Sequence, residues 1–305
     1  ALDYHAKGKP GKIEVVPTKS LISQIDLALA YSPGVAEPCK EIAQKVEEVY
    51  KYTAKGNLVA VISNGTAVLG LGDIGAEASK PVMEGKGVLF KKFADIDVFD
   101  IEVNAPDVET FVQVVKALEP TFGGINLEDI KSPECFEIEK RLKAELNIPI
   151  MHDDQHGTAI VVLAGLINAL KVVGKNIGKV KIVISGTGAA GVAIIKLLIR
   201  YGAKNIVAVD SKGIIYKERK DGMNGAKMEI AKMTNPEGLK GSLKEALSDA
   251  DVFIGVSAPS LLKARDISKM NDKAIVFALS NPVPEIMPLE AKKGGARVVA
   301  TGRSD

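Results

Sequence analysis

The chain has 305 residues, of which 46% are hydrophobic and 26% charged, with a formal net charge of +2. That is ample for a large core and for two domains. The near balance of charge argues against a nucleic-acid or membrane surface as partner. No run of about 18 apolar residues is unbroken, and Cys39 and Cys135 form neither a disulfide framework nor a metal spacing, so a reducing cytoplasm is expected.

Residues 1–18 are polar, broken by Pro10-Gly11 and Pro17, and read as an arm. A short helix is expected over 20–30 with Ser20 as N-cap, and another over 36–50. Between them, Tyr31-Ser-Pro-Gly-Val35 places Tyr31 at a helix–loop junction. A tyrosine there either presents its hydroxyl to a cleft or packs its ring and bonds a carbonyl. Residues 58–62 and 66–71 look like strands joined by a turn at Asn64-Gly65. Lys86 follows, flanked by Gly85 and Gly87, which would let the backbone approach a ligand. It is either a desolvated base or a surface lysine. Residues 97–103 are strand-like, and 107–118 form a helix started by Asp107.

Two acidic pairs come next, Glu128-Asp129 and Asp153-Asp154. Each follows an apolar run that reads as a buried strand (124–126 and 148–151), and the stretch 133–146 between them has helical spacing. Strand, helix, strand makes a βαβ unit, whose parallel strands bring both pairs to one sheet edge. Carboxylates forced together repel unless a cation joins them, and hard oxygen ligands select Mg²⁺ or Mn²⁺. The plainer alternative is a helix cap and a solvated turn. His152 and His156 flank the second pair; hard-cation sites seldom need imidazole, so both are expected either to support the ligands from behind or to serve a structural role.

Residues 158–173 are apolar almost all round and read as a buried helix. A strand over 180–184 then runs into Gly186-Thr187-Gly188-Ala189-Ala190-Gly191 and a helix over 192–201. This is a dinucleotide fingerprint: a tight turn, a close approach for the pyrophosphate, and a helix–strand contact. Asp210 ends a second strand where the ribose-binding acid is expected and argues for NAD; Lys212 would instead meet the 2′-phosphate of NADP. Further buried strands are expected over 251–255 and 274–278, and a last short strand over 297–300. Asn281, after the second of these three strands, either orients a nicotinamide or substrate or serves an Asn-Pro turn. The absence of a closing helix after Thr301 leads to the expectation that residues follow Asp305. The expected fold is α/β, with an N-terminal domain (1–157) carrying the acids and a Rossmann-type dinucleotide-binding domain (158–305).

Tyr31-Ser-Pro-Gly-Val35, Gly70-Leu-Gly-Asp73 with Lys86, Asn126-Leu-Glu-Asp129, His152-Asp-Asp-Gln-His-Gly-Thr158 and Ser280-Asn-Pro282, in that order, resemble the malic enzymes. The resemblance covers nearly the whole chain and is greatest to the small-subunit bacterial and archaeal branch. It implies oxidative decarboxylation of (S)-malate to pyruvate and CO₂, with NAD or NADP and Mg²⁺ or Mn²⁺. It implies Glu128, Asp129 and Asp154 as metal ligands, Lys86 as general base, and Tyr31 as the acid that protonates enolpyruvate. It further implies Asp153 beside Lys86, and Asn281 at the substrate or nicotinamide. Two departures stand out. Ala67 occupies the place where larger members carry a carboxylate-binding arginine, and a second family asparagine would lie beyond the end of this chain. A malolactic conversion of malate to lactate and a non-catalytic nucleotide-binding regulator are the competing readings. A homodimer is expected, because the polar arm has little core of its own to join.

Overall fold

The computed structural model describes residues 1–68 and 70–303, in two compact units. The first comprises Ala1–Gly65, Ile74–Glu128 and Ile138–Met151; the second comprises Thr66–Asp73, Asp129–Glu137 and the chain from His152 onward.

The chain opens with helices α1 (Leu2–Ala6), α2 (Gln24–Ala30), α3 (Ala36–Gln44) and α4 (Val49–Tyr52). None of these four buries a residue. Strand β1 (Leu58–Ser63), helix α5 (Ala76–Ala94), strand β2 (Asp97–Glu102), helix α6 (Val108–Leu118), strand β3 (Gly124–Leu127), helix α7 (Glu134–Glu145) and strand β4 (Ile150–His152) follow. The strands form a sheet in the order β2-β1-β3-β4. β1 pairs in parallel with β2 from Leu58↔Asp97 to Ser63↔Glu102, and with β3 from Val59↔Gly124 to Ile62↔Leu127. β1 is central and buried over almost its whole length, so its sequence is continuously apolar, as a strand covered on both faces requires. α6 supplies Phe111, Val112 and Val115, a helical stripe with no exposure. Lys55 closes the end of α6 from outside: its ammonium donates to the carbonyls of Glu119, Pro120 and Phe122.

The second unit contains α8 (Asp153–Val173), β5 (Lys181–Ser185), α9 (Ala189–Tyr201), β6 (Asn205–Asp210), β7 (Gly213–Ile214), α10 (Gly225–Met233), α11 (Leu243–Ala246), β8 (Val252–Gly255), α12 (Ala264–Ile267), β9 (Ile275–Ala278), α13 (Pro288–Lys293) and β10 (Val298–Thr301). Its sheet runs β10-β9-β8-β5-β6-β7. All neighbours are parallel except β7, which turns back antiparallel on β6. Alternation along the strands feeds two cores. Ile182 and Ile184 of β5 join Leu166 of α8 and Ile194 and Ile195 of α9 on one face. Val183 joins Val207, Phe253 and Val276 on the other. Each such side chain, fully removed from water, stabilises the fold by roughly 1.5–3 kcal/mol. α8 is long and apolar enough to cross a membrane, yet its Val162, Leu166, Leu170 and Val173 are packed in the first of these cores.

Several expectations change. The α2 N-cap is Ser23, not Ser20: Ser23 and Asp26 form a reciprocal capping box. The helix expected over 36–50 breaks at Lys45, whose backbone is extended. No strand forms over the described part of 66–71; Val68 makes one isolated bridge to Gly72. The Asn64-Gly65 signal fails because residues 66–67 are drawn to the loop after β3. Ala67 N–H donates to the Asp129 carbonyl at 3.0 Å, and Lys131 N–H to the Thr66 hydroxyl at 3.0 Å. The helix expected from Thr158 begins at Asp153. It is not buried all round, since Ile160, Val161 and Val172 are exposed.

Candidate active site

In the first unit, Lys86 lies inside α5 and not in a loop. Its flanking glycines admit protein neighbours. A side chain on Gly87 would begin 3.3 Å from Val98 of β2, and one on Gly85 would begin 3.4 Å from the Lys12 ammonium. The pattern that suggested close approach to a ligand is therefore a packing pattern. Lys86 itself is half-buried, and its Nζ lies 3.2 Å from Glu128 Oε1. Glu128, directly after β3, is buried; its other oxygen accepts from Asn126 Nδ2 at 2.7 Å. Tyr31 is the residue at the C-terminal end of α2, and it is 72% exposed.

In the second unit, Asp129 is buried and holds φ at 52°. That left-handed backbone costs a non-glycine residue about 1 kcal/mol or more. It persists because the neighbours fix it: Ala67 N–H holds its carbonyl, and its own N–H donates to Asp154 Oδ2 at 2.9 Å. Asp153 and Asp154 form the first turn of α8, where the helix dipole favours negative charge. His152, wholly buried before them, has Nε2 3.7 Å from Asp154 Oδ2. Asp129 and Asp154 each bring one carboxylate oxygen within 4.8 Å of the other. Two anionic oxygen donors this close, one of the carboxylates being buried, fit a hard divalent cation.

The glycine-rich turn sits between β5 and α9. Gly186 adopts φ +106°, and a side chain there would begin 2.5 Å from the Val256 carbonyl, so only glycine fits. Gly188 has nothing within 4 Å and leaves open space before the N–H groups of α9, at Ala189, Ala190 and Gly191. A cavity of about 670 Å³ opens there, lined by residues that include Thr187, Asp210, Lys212, Val256 and Ser257. β5 lies between β8 and β6, so the cavity sits where the strand order reverses.

Asp210 differs from expectation. Its carboxylate is already engaged within the protein: Arg219 Nη2 donates to both oxygens at 2.7 Å, Lys227 Nζ donates to Oδ2 at 2.7 Å, and Lys212 N–H to Oδ1 at 2.9 Å. Burial pushes its pKa up, but the hydrogen bonds from Lys227 and Arg219 outweigh that and hold it below the ordinary carboxylate value. Arg219 also donates to the carbonyls of Asp221, Gly213 and Ile214, so it knits the loop after β6 together. Neither Arg219 nor Lys227 was singled out from the sequence, because nothing in linear spacing marks a lysine or arginine as the partner of a distant acid. Arg219→Ala should lower folding stability by about 3 kcal/mol, as both partners are nearly buried; a urea-melt midpoint shifted by less than experimental error would contradict that. Asn281 donates through Nδ2 to the Gly302 carbonyl at 3.3 Å, and Gly70 packs on its own carbonyl, where a side chain would begin 2.6 Å away.

A parallel sheet with a glycine-rich turn and a cavity at its strand reversal is a dinucleotide-binding domain. Comparison with known proteins agrees and goes further. The malic enzyme N-terminal domain matches residues 10–143, and the malic enzyme NAD-binding domain matches residues 155–303. The chain belongs to the malic enzyme family. Over 305 residues it is 58% identical to the bifunctional malic/malolactic enzyme of Bacillus subtilis, spanning 100% of this chain and 74% of that protein. It is also 58% identical to the NADP-dependent malic enzyme of Haemophilus influenzae, of which it spans only 40%. The crystal structure of the NAD-dependent malic enzyme from Thermotoga maritima superposes with a TM-score of 0.94 at 52% identity, covering 97% of this chain and 78% of that one.

Proposed function

We propose that this chain catalyses the oxidative decarboxylation of (S)-malate to pyruvate and CO₂, reducing NAD or NADP, in dependence on Mg²⁺ or Mn²⁺. The observation that carries the reading is the 3.2 Å approach of Lys86 to Glu128, which puts the candidate base beside a candidate metal ligand. Glu128, Asp129 and Asp154 would hold the cation. Such a cation, when bound, polarises the C2 oxygen of the substrate. Lys86 would take the C2 hydroxyl proton, and a bound nicotinamide would supply the acceptor for the C2 hydride. Loss of CO₂ then leaves an enolate, and Tyr31 delivers a proton to its C3. Asp153, beside Asp154 in the first turn of α8, would help set the charge of the base, as the family resemblance implies. Gly186, Thr187, Gly188, Ala189, Ala190 and Gly191 would hold the dinucleotide's pyrophosphate, Asp210 and Lys212 would meet its adenosine ribose, and Asn281 would meet its nicotinamide. Because Asp210 is neutralised by Arg219 and Lys227, it would not repel a 2′-phosphate as a bare carboxylate would, which supports use of NADP as well as NAD.

Tyr31→Phe should slow formation of pyruvate by about 10²-fold or more while slowing hydride transfer far less. Equal slowing of both steps in single-turnover experiments would remove Tyr31 from the protonation step. The division at residue 157 into a catalytic and a cofactor domain, a cytoplasmic location and a homodimer belong to the same reading. The exposed apolar residues Leu21, Ile22, Ile25 and Leu29 on and before α2 support the homodimer. The name of the Bacillus subtilis relative favours one further reading, conversion of malate to lactate with retained cofactor. Product analysis separates the two: one pyruvate per reduced cofactor released supports the main proposal, and lactate without released cofactor supports the second.

A further inference from the structure

We propose that Glu285 is a positioning residue for the dinucleotide, its buried carboxylate setting the two strand-end loops that frame the cofactor cavity. The inference rests on the cofactor-binding reading of that cavity. Glu285 is wholly buried. Its Oε1 accepts from the Ser257 backbone N–H at 2.9 Å and from the Ser257 hydroxyl at 3.4 Å, and its Oε2 accepts from the Ser280 N–H at 3.1 Å. No lysine or arginine pairs with it among the described residues. A buried carboxylate without a cation is costly, and it is retained where it meets backbone donors that would otherwise be stranded.

The two donors belong to neighbouring strands. Ser257 follows β8 and Ser280 follows β9, so one side chain ties the C-terminal ends of both together. The tie continues to the glycine-rich turn. Ser257 Oγ lies 2.9 Å from Ser185 Oγ, and Ser185 directly precedes Gly186. Ser185, Gly186, Val256 and Ser257 all line the cavity, whereas Glu285 does not. Asn281, next to Ser280, hangs from the same anchor. The backbone of Glu285 is held as well, since its carbonyl accepts from Leu262 N–H at 3.0 Å. Space for the carboxylate comes from Gly255: a side chain there would overlap the Glu285 carboxyl carbon. Glu285 thus acts on the cofactor through the loops it holds.

The test uses the full chain, with the fluorescence of reduced nicotinamide dinucleotide as probe. Glu285→Gln keeps the size but turns an amide NH₂ toward one of the two backbone donors. Its Kd for reduced cofactor should rise about tenfold, the effect of losing one such hydrogen bond. The cofactor KM should rise in parallel with a smaller change in kcat, while Mn²⁺ affinity and far-ultraviolet circular dichroism stay as in the wild type. Gly255→Ala, which displaces the carboxylate from the β8 side, should weaken cofactor binding in the same way, and it decides alone if Glu285→Gln does not fold. Wild-type cofactor affinity in these variants, or equal loss of cofactor and Mn²⁺ affinity, would overturn the inference. Failure of the wild type to bind either dinucleotide would overturn the cofactor reading together with it.

Discussion

Lys86→Ala is expected to lower kcat for malate oxidation by about 10³-fold, within the range a positioned general base contributes, and to leave the Kd of either dinucleotide unchanged. The separation follows from placement. Lys86 is on α5 and is not among the residues that line the cavity beside the glycine-rich turn, so none of the proposed dinucleotide-binding residues is changed. Inside α5, alanine is a good helix former, so the helix should persist. Lys86→Arg sharpens the test. Arginine keeps the charge opposite Glu128 but stays protonated at all working pH values, so it cannot accept a proton. Lys86→Arg should therefore be nearly as inactive as Lys86→Ala. Stopped-flow absorbance at 340 nm reads the hydride step, and substantial activity in Lys86→Arg would assign Lys86 to charge balance instead of proton transfer.

Asp154→Asn should raise the Kd for Mn²⁺ by at least about tenfold, read from the electron paramagnetic resonance signal of the free ion. Asparagine retains an oxygen that can accept the 2.9 Å bond from Asp129 N–H, so the left-handed backbone of Asp129 is still supported. What disappears is one of the negative charges proposed to hold the cation. Losing a full anionic donor from a hard-cation site costs more than disturbing an outer partner, hence the lower bound. Folding and cofactor affinity should be unaffected, and activity at saturating Mn²⁺ should recover in part. A Mn²⁺ titration superimposable on the wild type would remove Asp154 from the ligand set.

Much of the architecture was legible in the residues. Burial on both faces of a parallel sheet makes strands such as β5 and β8 almost continuously apolar, and the glycine spacing after β5 carries its own mechanism. The acidic pairs were legible for a topological reason: a βαβ unit sends both strand ends to one edge. What escaped was whatever depends on partners distant in sequence. The hairpin signal at Asn64-Gly65 is local, whereas the hydrogen bonds that draw residues 66–67 to Asp129 and Lys131 are not. The glycines around Lys86 advertise close approach without saying to what, and the answer was Val98 and Lys12. Asp210 sat where a ribose acid belongs, but its engagement by Arg219 and Lys227 is a property of the folded loop. Glu285 carried no motif at all, since its meaning lies in two backbone N–H groups from different strands.

The central claim is metal-dependent oxidation and decarboxylation of malate by the site around Lys86. Its most direct test is absorbance at 340 nm with full-length protein, (S)-malate and Mn²⁺, run separately with NAD and with NADP, with and without a chelator, and with product identification. A rise that the chelator abolishes, with pyruvate and not oxaloacetate as product, is the predicted result. No rise with either cofactor, or a rise indifferent to the chelator, would contradict it.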